Sequence, residues 1–113
     1  MAITNSDMKD YVFLEGMYKD RYYPRFLVDK LKDILVRLCE AIEREQPQDD
    51  EALLNLTHAA TREINALADE FVDNESEIKT VAREAIAGDF RMIASAYDFV
   101  AVDVEDLIEP REW

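Results

Sequence analysis

The sequence predicts an all-α fold, an antiparallel bundle of three long helices with a short helix at each of its N- and C-terminal ends. Three observations point there. Apolar residues recur every three or four positions across three separate stretches. Only two glycines and three prolines occur in 113 residues, too little turn chemistry for a β-rich chain. Hydrophobic residues make up 49% of the chain, enough to fill one core, so residues 1–113 are expected to form a single helical domain. No internal repeat, low-complexity tract or linker interrupts the pattern.

The first long helix begins at Pro24, whose fixed φ suits the first helical position, and runs to about Glu45. Its apolar stripe is Leu27, Leu31, Ile34, Leu38, Ala41 and Ile42, and Gln46, Pro47 and Gln48 stop it. Asp49 or Asp50 caps the second helix, where acids complement the positive end of the dipole. Leu53, Leu56, Ala60, Ile64, Leu67 and Phe71 line its core face, and Asp73 with Asn74 ends it. Asn74 and Glu77 have capping-box spacing for the third helix, which uses Ile78, Val81, Ala82, Ala85, Ile86, Phe90, Ile93 and Tyr97. Gly88 lies inside that helix and is expected to permit a kink. At the ends, Ser6 is placed to cap a short helix from Asp7 to Leu14 that breaks near Gly16. Asp103 is placed to cap another from Val104 to Glu109, closed by Pro110. The joints between the long helices are short, which makes consecutive helices antiparallel neighbours.

Charge divides the chain. Residues 1–46 carry nine acids, eight bases and six of the eleven aromatic residues, whereas residues 47–113 carry seventeen acids and five bases. A net charge of −13 disfavours nucleic acid and anionic lipid, whose phosphates need cationic side chains, and suits a basic protein partner. The lone cysteine cannot form an internal disulfide, the N-terminus shows no basic stretch followed by an apolar one, and no apolar run approaches the roughly 20 residues that span a bilayer. A cytoplasmic protein without membrane attachment is expected, as monomer or homodimer.

Four places hold residues that could carry chemistry. His58, the only histidine, groups with Leu54, Thr61 and Asn65 in an uncharged strip beside the second helix's core face. Either the terminal segments pack over this strip, or His58, Thr61 and Asn65 line a small polar pocket. Asp89 falls in the apolar arc of the third helix, among Ala82, Ala85, Ile93 and Ala96, where a carboxylate needs a partner. It could cap a new helical segment after a break at Gly88, pair with an arginine or tyrosine from the N-terminal segment, or face a site. Cys39, beside Leu35, Leu38 and Ile42 near a helix C-terminus, reads as a packing thiol. The stretch 11–26 interleaves aromatics with Lys19, Arg21 and Arg25, which makes Tyr22, Tyr23 and Arg25 candidates for a contact surface or for a cover over the bundle.

Several chemistries are excluded. Glycines at positions 16 and 88 alone build no phosphate-cradling loop, and no serine elbow is present. Paired Cys and His are missing, and Asn55 stands where a Glu-x-x-His pair would need glutamate. Asp73, Glu75, Glu77 and Glu84 mimic calcium-loop spacing, but Ile78 occupies the position that needs glycine. No catalytic residue, metal or cofactor is expected. The residues favour a non-enzymatic acidic binding protein, such as an immunity or antitoxin-like inhibitor of a basic protein. The alternative is a small-molecule-binding or enzymatic domain with a polar pocket around His58 and Asp89.

The run Met17-Tyr-Lys-Asp-Arg-Tyr-Tyr-Pro-Arg-Phe-Leu-Val-Asp-Lys, the segment Leu56-Thr-His-Ala-Ala-Thr, the segment Thr80-Val-Ala-Arg-Glu-Ala-Ile-Ala-Gly-Asp-Phe and the terminal Arg111-Glu-Trp resemble a small bacterial all-helical protein family of unknown function. The resemblance spans most of the chain. It implies a compact bacterial cytoplasmic domain and brings no activity, ligand or catalytic residue with it.

Overall fold

A computed structural model describes residues 3–113; Met1 and Ala2, which head the N-terminal stretch expected to lack a leader, lie outside the described residues. The described residues contain no strand and five helices: α1 (Glu15–Tyr18), α2 (Arg25–Glu45), α3 (Asp50–Asp73), α4 (Thr80–Ala96) and α5 (Val104–Leu107). Helices α2 and α3 share the most extensive contact. Leu27, Leu31, Ile34, Leu35, Leu38 and Ile42 from α2 join Leu53, Ala60, Ile64, Leu67 and Phe71 from α3 in the buried core. Along one edge Lys30 pairs with Glu70 at 2.8 Å and Arg37 with Glu63 at 2.9 Å, a descending register that fixes the two helices as antiparallel. These pairs are half-exposed, so each adds under about 1 kcal/mol.

Helix α4 runs alongside α2 in the same direction. Its start lies near Tyr22, whose ring sits 5.0 Å from the Lys79 ammonium, and its end lies near Glu43, which accepts the Tyr97 hydroxyl at 2.6 Å. The terminal helices close the gaps around it: α1 touches α2 and α4, and α5 touches α3 and α4. The wide uncharged face of α3 is thereby explained, since α2 covers part of it and the C-terminal segment covers the rest. The buried set also takes Met8, Phe13, Leu14 and Met17 from the N-terminal segment and Leu107 and Ile108 from the C-terminal one.

Five expectations need correction. The helix expected after Asn74 starts only at Thr80, with Lys79 at the cap position and no side-chain cap. Asn74 instead closes α3, its amide donating back to the Glu70 carbonyl at 2.8 Å. A double backbone clasp follows, Ser76 N–H to Phe71 O and Glu75 N–H to Val72 O, with Glu75 left-handed at φ 61°. The same clasp ends α4, where Phe99 N–H reaches Ala94 O, Asp98 N–H reaches Ser95 O and Asp98 has φ 70°. Both motifs favour glycine at the left-handed residue, and both do without it here.

The expected helix from Asp7 to Leu14 is absent. Asn5, not Ser6, does the capping, its Oδ1 accepting from the N–H of Asp7 and of Met8, and only turns follow. The helix forms one step later as α1 and includes Gly16. Helix α4 passes through Gly88 unbroken, so Asp89 does not cap a new segment. Val81, assigned to the core face, is 44% exposed. The helix expected to run from Val104 to Glu109 stops at Leu107, with the Asp103 side chain capping it as expected.

Candidate functional site

Two carboxylates organise the N-terminal end. Asp89, 5% exposed, accepts the Tyr11 hydroxyl on Oδ1 at 2.6 Å and the Leu14 N–H on Oδ2 at 2.8 Å. Leu14 is held left-handed at φ 56°, a conformation costing roughly 1 kcal/mol for a residue with a β-carbon. The turn presents its N–H to Asp89 and starts α1. Burial pushes the Asp89 carboxyl above its ordinary range, more than the two donors pull it down. Burial, aided by the bond to Asp89, raises the Tyr11 hydroxyl as well. Asp89 thus braces the N-terminal strap, as one of its sequence readings allowed.

Glu43 is the second brace, missed in the sequence because a glutamate at the edge of an apolar stripe is ordinary; it stands one turn after Cys39 and next to Ile42, both buried. Its carboxylate accepts from the Thr4 N–H at 3.0 Å, the Thr4 hydroxyl at 2.8 Å, the Asn5 N–H at 3.1 Å and the Tyr97 hydroxyl at 2.6 Å. Burial opposes its ionisation, yet these donors outweigh burial and hold the group at about 2. Cys39 lies beneath this network, fully buried, its thiol pushed up to about 12 by burial and by nearby carboxylates against a lowering contact from Tyr97. A thiol held so far from ionisation is not a nucleophile at neutral pH.

The C-terminal segment covers the His58 strip. His58 Nε2 donates to the Asp106 carbonyl at 2.7 Å, which places a proton on that nitrogen. Asn65 clasps the chain twice, donating to the Pro110 carbonyl at 3.0 Å and accepting the Glu112 N–H at 2.9 Å. Thr61 is fully buried and donates to the Thr57 carbonyl one turn back. At the end of this segment the Trp113 indole packs against the core, its Nε1 buried with no partner among the described residues, and the Arg111 guanidinium lies 5.6 Å over the ring.

Of the tyrosine-rich candidates, Tyr23 is core, edge-on to Phe71. Tyr22 is 40% exposed, under Lys79, and its carbonyl accepts the Ser76 hydroxyl at 3.2 Å. Arg25 is exposed, with its guanidinium 5.6 Å over the Tyr18 ring. The candidate residues therefore divide among three places, the Tyr22 corner, the C-terminal clasp and the Asp89 brace. They do not share one pocket.

The most distinctive concavity lies between the N-terminal strap and α4. It has a volume of about 500 Å³ and is lined by Asp10, Tyr11, Val12, Glu15, Gly16, Glu84, Ala85, Gly88 and Asp89. None of His58, Thr61 and Asn65 borders it. Both glycines of the chain do, a convergence that no sequence spacing announces. Among the described residues, four carboxylates and no cation line it, and no group of three or more His, Cys, Asp or Glu side chains is placed to hold a metal. Nor does any helix of the described residues have the length and apolarity to cross a membrane.

Comparison with curated proteins and with solved structures finds no significant match. A family model does match residues 7–113, so this chain belongs to the family of unknown function DUF5713.

Proposed function

We propose that the protein is a non-enzymatic acidic binding module, of the immunity or antitoxin-like kind, that captures a basic protein partner in a bacterial cytoplasm. The observation that carries this reading is where the polar chemistry is used. His58, Asn65, Asp89 and Glu43 each hold a terminal segment to the bundle. What remains on the outside is carboxylate-rich: Asp69, Asp73, Glu75 and Glu77 are exposed around the α3–α4 joint, with Lys79 the base beside them. Such a surface accelerates encounter with a cationic partner and does so most at low salt.

Titration calorimetry tests the reading with an oligolysine peptide against a glutamine peptide of equal length, at low and at high ionic strength. Binding to the basic peptide alone, weakening as salt rises, is the expected outcome. Equal binding of both peptides, or binding indifferent to salt, would remove its basis.

A further inference from the structure

We propose that the cleft between the N-terminal strap and α4 receives one arginine or lysine side chain of the basic partner; this rests on the acidic-binding reading above and gives it an address. The shape of such a side chain is an apolar stem with a cationic head. The cleft repeats that order. Val12, Gly16, Ala85 and Gly88 provide an apolar lining, with Val12 63% exposed, and Val81 stands next to Gly16, its Cγ1 3.7 Å from where a β-carbon on Gly16 would lie. Asp10, Glu15 and Glu84 are exposed around this lining, and Asp89 closes it. Glu15 is engaged by Lys19 at 2.7 Å; among the described residues no lysine, arginine or histidine lines the cleft itself. An apolar group would leave these acids unanswered, so charge selects a cation.

Gly88 adds a second, independent reason. A helix interior disfavours glycine, and the fold does not require one here, since its φ is not positive and a β-carbon there would meet nothing within 4 Å. The space left by the missing side chain opens into the cleft and remains for something that comes from outside.

The test uses the whole chain, labelled with nitrogen-15, and a peptide alternating arginine with leucine, against a control alternating glutamine with leucine. Two glycines give two amide signals in a spectral region of their own, and both belong to the cleft. The expected result is that the basic peptide shifts both glycine signals and that Gly88→Leu, which fills the cleft, weakens binding about tenfold while the unfolding midpoint holds or rises. Asp33→Asn with Glu109→Gln, exposed acids outside both the cleft and the α3–α4 joint, should change affinity less. If the basic peptide binds while both glycine signals stay put, or Gly88→Leu binds normally, the cleft assignment is wrong and the acidic-binding reading survives. No binding of the basic peptide at low ionic strength overturns both. Should Gly88→Leu fail to fold, the glycine signals of the unmodified protein decide.

Discussion

At the N-terminal end, residues 3–14 are fastened by two carboxylates, Glu43 and Asp89, whereas the C-terminal segment is fastened by an imidazole and an amide, His58 and Asn65. Both fasteners close a gap around α4, and each uses side chains that the sequence offered as site candidates, Asp89 in the first and His58 with Asn65 in the second. Their chemistry differs. A carboxylate only accepts, so the N-terminal strap must turn its donors inward: the Leu14 N–H from a left-handed residue, the Tyr11 hydroxyl, the Thr4 and Asn5 amides. Asn65 gives and takes at once, so the C-terminal segment can lie along α3 with ordinary backbone. One end of the molecule is therefore held by carboxylates whose hold depends on pH; at the other, the Asn65 amide holds the chain as a dipole that does not titrate.

The largest expected effect breaks the charged fastening. Asp89→Ala leaves the Leu14 N–H and the Tyr11 hydroxyl without an acceptor in a buried place, and should cost about 2–4 kcal/mol in urea unfolding. Glu43→Gln should come next, at about 2 kcal/mol, since Glu43 collects donors from three residues but is only half-buried. The two acids respond oppositely to pH. Glu43 ionises at about 2 in the fold against an ordinary 4.5, so its contribution is complete above 4.5 and fades as pH falls towards 2. The raised Asp89 contributes fully below the ordinary carboxylate value and loses that contribution as pH rises through its elevated one. Acid unfolding of Glu43→Gln should show a shallower decline below pH 4.5 than the parent, and an unchanged slope there would contradict the brace.

The C-terminal fastening is weaker. Asn65→Ala removes two neutral hydrogen bonds and should cost about 1–2 kcal/mol, seen as faster proteolysis confined to the residues after Asp103. Cleavage that begins instead near the N-terminal strap would mean that the two ends are not independently held. The smallest effect has the opposite sign. Gly88→Ala should stabilise by up to about 1 kcal/mol in thermal unfolding, because it improves the helix and meets no neighbour.

What the sequence conveyed follows from range. Helices α2 and α3 were legible almost to the residue, because their stripes and caps lie within a turn or two of each other. The start of α4 was not, since Asn74 is equally good at closing one helix and opening the next, and the clasp of Ser76 on Phe71 decided for closing. The N-terminal strap misled for the opposite reason. Its local pattern is helical, but Asp89 and Glu43, distant in sequence, offer better acceptors than a short isolated helix would. Asp89 was visible as an oddity, one carboxylate on an apolar arc, and its pairing with a tyrosine was among the options. Glu43 was invisible because a glutamate at a stripe's edge is ordinary, and only its four donors make it unusual. The convergence of Gly16 and Gly88 is purely tertiary.

Trp113 closes the C-terminal segment, and it is the chain's only tryptophan. Excited at the red edge of its absorption, the whole molecule emits from that one indole, stacked beneath Arg111 in a water-poor niche. Loosening of the segment would carry the ring into solvent and move its fluorescence to longer wavelength. The fold thus carries a built-in optical gauge of whether its tail is docked.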